Sequence, residues 1–213
     1  MFRELLQGSK HTLVHDAVDE ILRMLEQGHI MFQTSCVALR EGRPPEGGLP
    51  QDEVLNVGER VVRRMVFQHL IVNPKQDLST SVALLSVVHD VERIGDYAKS
   101  LVELSRWSTK NSSSALATLC RELHQMVEPE FGATLTALRD SDEEAARQVM
   151  RDHAQVKEFT DHMLEEAMEA EGREAIVYAV ASRYMRRVSG HLSNVATAVI
   201  NPVDQLAGKE APA

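Results

Sequence analysis

HDVERIGDYAKSLV, His89 to Val102, decides how this chain folds. Its apolar residues Val91, Ile94, Ala98, Leu101 and Val102 recur at three and four residue spacings, and Leu84, Val87 and Val88 extend the same stripe upstream. That period belongs to one face of an α-helix, and a strand would alternate instead. The stretch overlays RYMRRVSGHLSNVA, Arg183 to Ala196, at an offset of 94 residues. Arg93 falls on Arg187, Ile94 on Val188, Gly95 on Ser189, Ser100 on Asn194 and Leu101 on Val195. Small residues at 95 and 189 would let a neighbouring helix approach closely in both copies.

Working outward, the same period appears in Val14, Ala17, Val18, Ile21, Leu22 and Leu25, and in Ile176, Val180, Tyr184, Val188, Val195 and Val199. Breakers separate the segments: GRPPEGGLP (42–50), Asn73-Pro74, TKNSSS (109–114), DSD (140–142), Gly172 and Asn201-Pro202. Helices are predicted over 9–41, 51–72, 76–107, 114–139, 142–170 and 173–200, with Ser112 to Ser114 and Ser141 as N-caps. The expected class is all-α, as two sets of three helices: 1–108, then 109–202, then a tail at 203–213.

Composition narrows the functional classes. Aromatics are 4% of the 213 residues, which disfavours sandwiches and barrels, and 43% hydrophobic content is enough for a buried core. A net charge of −9 repels a polyphosphate backbone, so nucleic acid is not an expected partner. Cys36 and Cys120 read as buried thiols in a reducing cytosol. No apolar run suits a signal peptide or a span, so a cytoplasmic protein that meets membranes only through a partner is expected. Met31, Phe32, Phe67 and Phe131 are candidates for an apolar patch that a second copy would cover.

His89, Glu92 and Asp96 lie on one side of the third helix, beside its core stripe. Two carboxylates four residues apart repel each other, so something positive should sit over them. A basic side chain and a metal ion held by oxygen ligands both meet that need. Further ligands would have to come from the first two helices, where His11 and His15, with Asp16 and Asp19 adjacent, read as a surface pair and Asp52 and Glu59 as plainer surface carboxylates. Gly-x-Ser-x-Gly, Gly-rich phosphate-loop, Cys-x-x-Cys and His-Glu-x-x-His patterns are absent. A di-iron carboxylate enzyme needs two Glu-x-x-His pairs, and only Glu26 with His29 fits.

ERIGDYAKSL, led in by NPKQDL (73–78), resembles the first repeat of the PhoU family, and the ending RYMRRVSGHLSNVATAVINP resembles its second. The resemblance implies two tandem three-helix bundles and a non-enzymatic negative regulator of phosphate uptake. Such a regulator links a phosphate ABC transporter to a sensor histidine kinase. It also implies metal ions, iron or zinc, on Glu/Asp-x-x-x-Asp motifs. Carried over, the first motif is Glu92 and Asp96, with His89 as neighbour; the second is broken, because Arg186 and Gly190 stand where its carboxylates would be. Arginine offers a cation no lone pair, so Arg183, Arg186 and Arg187 are expected to pair with Asp152, Glu158 or Asp161.

Overall fold

The structure, a computed structural model, describes residues 13–49, 51–72 and 78–200. Six α-helices run α1 Leu13–Glu41, α2 Gln51–Val72, α3 Leu78–Leu104, α4 Ala115–Asp140, α5 Glu143–Glu169 and α6 Arg173–Ile200, with a 3-10 turn at Ser105–Trp107 between α3 and α4. No strand occurs among the described residues. The expected starts at residues 9 and 76, the histidine His11 and the tail lie outside the described residues.

The helix ends follow local chemistry. Ser114 caps α4 as expected, its side chain accepting from the Ala117 N–H at 3.2 Å. Ser141 does not cap α5. It ends α4 instead, in a left-handed conformation at φ 52°, and Asp142 takes the cap, accepting from the N–H groups of Glu144 and Ala145. A carboxylate meets the positive end of a helix better than a hydroxyl does, which accounts for the one-residue shift. Pro129 sits inside α4, where the ring removes one backbone donor.

Helices α1, α2 and α3 pack together, as do α4, α5 and α6, and the two bundles join along α3 against α6 and α1 against α4. Ile21, Met24, Leu25, Phe32, Leu84, Val91, Ile94 and Leu101 are buried in the first bundle, and Leu123, Val127, Phe131, Val156, Met163, Val188 and Leu192 in the second. Ile176 is exposed rather than part of the α6 stripe, and of the four residues offered as an outer patch only Phe67 is exposed, because Met31, Phe32 and Phe131 are fully buried.

Gly95 permits close approach, as read from the sequence. A Cβ there would fall 2.3 Å from Leu55 Cδ1 of α2, and Leu55 is itself 1% exposed, so it would have to shift within the core. Gly95→Ala is therefore expected to lower stability by about 2 kcal/mol despite the better helix propensity of alanine. A urea titration at fixed pH measures this, and an unchanged midpoint would contradict the packing.

Candidate functional site

The acidic face of α3 takes shape between α2 and α3. Asp96 accepts from Lys99 Nζ at 2.8 Å and from Arg93 Nη1 at 3.1 Å, and Lys99 reaches across to Asp52 of α2 at 2.9 Å. Glu59 of α2 pairs with Arg63 at 2.8 Å and stands 3.6 Å from His89 Nδ1. Glu92 is the least well matched, with Arg93 Nε at 4.0 Å. Burial raises its carboxyl above the usual range, and the nearby charges of Asp96 and Glu59 push the same way. Burial also opposes charge on Asp96, but the Lys99 bond and charge, with Arg93, outweigh it and hold Asp96 low. The Lys99 ammonium shows the mirror image: burial lowers it, and its bonds to Asp96 and Asp52 more than restore it, to above its ordinary value.

His89, Glu92 and Asp96 thus share a face, yet His89 turns to Glu59 and Asp96 is held by an ammonium and a guanidinium. Carboxylates are the right donors for a hard cation. Among the described residues, however, no three His, Cys, Asp or Glu side chains are gathered so as to hold a metal ion. On the matching face of α6, Arg186 binds Asp161 of α5, one of its three expected partners. Asp152 instead accepts from Gln148, and Gly190 lies against the His153 ring, which a Cβ would meet at 3.4 Å.

Three carboxylates outside those motifs tie the helices together, two of them buried and Glu128 part-buried. Asp90, 9% exposed, accepts at Oδ1 from His191 Nδ1 at 2.7 Å and from Asn194 Nδ2 at 2.9 Å, and the His191 ring stacks on Tyr97 at a centroid distance of 5.6 Å. This ties α3 to α6. Glu128 ties α4 to α1, at 2.7 Å from His29 Nε2 and 2.5 Å from the donating Gln33 Nε2, with His124 at 3.2 Å. Burial works against its charge, but these partners hold it below the usual range. Glu130 is fully buried; Ser189 Oγ donates to its Oε1 at 2.9 Å, His153 Nδ1 meets the same hydroxyl at 2.9 Å, and Oε2 has no hydrogen-bond partner.

Desolvation sets both titrating ends of that chain. It pushes Glu130 up to about 8, the Ser189 bond only partly offsetting it and Asp152 adding to it. It pushes His153 down to about 4, helped by Lys157 and Arg186. The serine lies between the acid and the base and is fully buried, so the trio lacks the accessible, base-activated hydroxyl of a hydrolase. Cys36 and Cys120 are buried and line one cavity of about 60 Å³ between α1 and α4. Burial raises both thiols, Cys120 to about 12, which leaves them unreactive.

The two-bundle arrangement has a counterpart among known proteins. The PhoU domain profile matches residues 12–105 and again 120–199. The chain belongs to the PhoU family. Its fold superimposes on the crystal structure of PhoU from Pseudomonas aeruginosa with a TM-score of 0.79 at 22% identity, covering 92% of this chain and 97% of that one. The phosphate transport system regulatory protein PhoU from Streptococcus pneumoniae gives 0.77 at 13% identity, covering 91% and 94%. No curated protein matches the sequence. Within this PhoU fold no described helix is long and apolar enough to cross a membrane.

Proposed function

We propose that this PhoU-family chain is a non-enzymatic cytoplasmic regulator of phosphate uptake and phosphate homeostasis that works by contact with a phosphate transporter, a sensor kinase or both. The observation that carries this reading is the PhoU domain found twice, once in each bundle, with the whole fold preserved against two PhoU structures. Deleting the gene in its host is expected to raise phosphate uptake in phosphate-replete medium, with restoration by the wild-type chain. Unchanged uptake would count against the reading.

The contacts at Asp96 favour a metal-free form of that regulator. Lys99 and Arg93 supply the positive charge that the carboxylate pair requires, and a metal would have to displace them. EDTA is then expected to leave the thermal midpoint unchanged. Lys99→Met should cost about 1 kcal/mol or less at low salt, since the pair is partly exposed. In that variant alone, added Mn²⁺ should raise the midpoint by filling the vacated position. Loss of stability on chelation of the wild type, with bound iron or zinc by elemental analysis, would restore His89, Glu92 and Asp96 as metal ligands.

A further inference from the structure

The outer face of α2 carries Val57, Arg60, Arg64, Phe67 and Ile71, spaced three and four residues apart on one side of the helix. Phe67 and Ile71 are each 65% exposed. Arg63 one step round the helix holds Glu59, whereas Arg60 and Arg64 have no ion-pair partner among the described residues. In a chain of net charge −9 this is a cationic and apolar surface with no ion-pair partner for its two arginines among the described residues.

Its chemical complement lies on the same chain, at the tip where α5 turns into α6 through Gly172. Leu164, Met168 and Ile176 are exposed there, Met168 at 79%. Glu165, Glu166, Glu169 and Glu171 are exposed around them with no basic partner among the described residues, against the single cation Arg173. Glu165 and Glu169 are four residues apart on α5, as Arg60 and Arg64 are on α2, so two helices laid side by side can match both pairs.

We propose that a second copy of this chain seats its acidic α5–α6 tip on the cationic face of α2, with Met168 and Ile176 against Phe67 and Ile71 and the two arginines opposite the two glutamates. An anionic lipid surface offers charge of the same sign as this tip, and the net charge of −9 would repel the whole molecule from it. A second copy carries the same net charge, but it offers the four tip carboxylates together with Met168 and Ile176, so charge and apolar surface are matched locally where the two faces meet. The contact is between unlike surfaces, so each copy contributes both halves. It is independent of the regulatory reading and survives that reading's failure.

Sedimentation equilibrium of the full chain over a micromolar to millimolar range tests it. The wild type should show self-association. Arg60→Glu with Arg64→Glu should weaken it at least about tenfold by placing like charges together, as should Glu165→Arg with Glu169→Arg. These residues are exposed, and unchanged helical circular dichroism would confirm that each variant folds. Mixing the two variants, or combining all four changes in one chain, should restore association. A monomeric wild type, association indifferent to either reversal, or failure of both restorations would overturn the proposal. So would a monomeric wild type that binds phosphatidylglycerol vesicles through Arg60 and Arg64, which would give the α2 face to a lipid surface.

Discussion

Glu130→Gln is expected to abolish a fall in stability of about 2 kcal/mol that the wild type undergoes between pH 6.5 and 8. A buried carboxyl raised to about 8 keeps its proton in the folded state and loses it near 4.5 when unfolded. The folded state therefore binds more protons over that whole interval, and stability falls as pH rises through it. His153 does the opposite. Folded it releases its proton near 4, unfolded near 6.5, so its contribution rises with pH between those values. From 4.5 to 6.5 the two slopes cancel, and above 6.5 only the Glu130 slope remains. Glutamine keeps an acceptor for Ser189 and cannot ionise, so the variant should show the rise owed to His153 and no decline afterwards. The wild-type minus variant difference in unfolding free energy isolates this, because other carboxylates contribute equally to both. For a chain of this size the effect corresponds to about 4–8 °C in thermal midpoint. Parallel curves for the two proteins would mean that Glu130 is charged in the fold.

Asp90→Ala should lower stability by about 2–3 kcal/mol, and the loss should be concentrated at the seam between bundles. The substitution removes two charge-assisted bonds and leaves the half-buried His191 Nδ1 donor unmatched, while Asn194 can turn to water. Hydrogen exchange should then quicken in the facing turns of α3 and α6, which carry Asp90 and its two hydrogen-bond partners, and stay unchanged in α2 and α5. Uniform quickening across all six helices would show Asp90 to be an ordinary core position. No change at all would show the seam to be held by Tyr97, Tyr184 and the apolar contacts alone.

The fold was legible because each helix announces itself locally. Apolar periodicity and the breakers placed the six helices, and Gly95 flagged a position of close approach. The acidic pair was legible as a problem in need of positive charge. The nearest solution also stood in the string, since Lys99 is three residues beyond Asp96, one turn along the same helix. Spacing alone does not separate a lysine that curls back from one that extends into water, and Asp52 on another helix is what draws it in. His191 and Asn194 were visible as a retained ending, but their common partner Asp90 lies 101 and 104 residues away. Glu130 carries a local signal in the sequence. It occupies a core position of the stripe Leu123, Val127, Phe131, Thr134 and Leu138, where a carboxylate is costly. The capping of α5 by Asp142 turned on a comparison between two adjacent good caps that sequence does not rank well.

Affinity capture of the tagged full chain from detergent-solubilised native membranes, with and without phosphate starvation, tests the regulatory account most directly. The account predicts specific enrichment of a phosphate transporter ATPase or a sensor histidine kinase, altered by phosphate supply. Neither enriched over a tag-only control in either condition, with the chain folded and present at its native level, would contradict it.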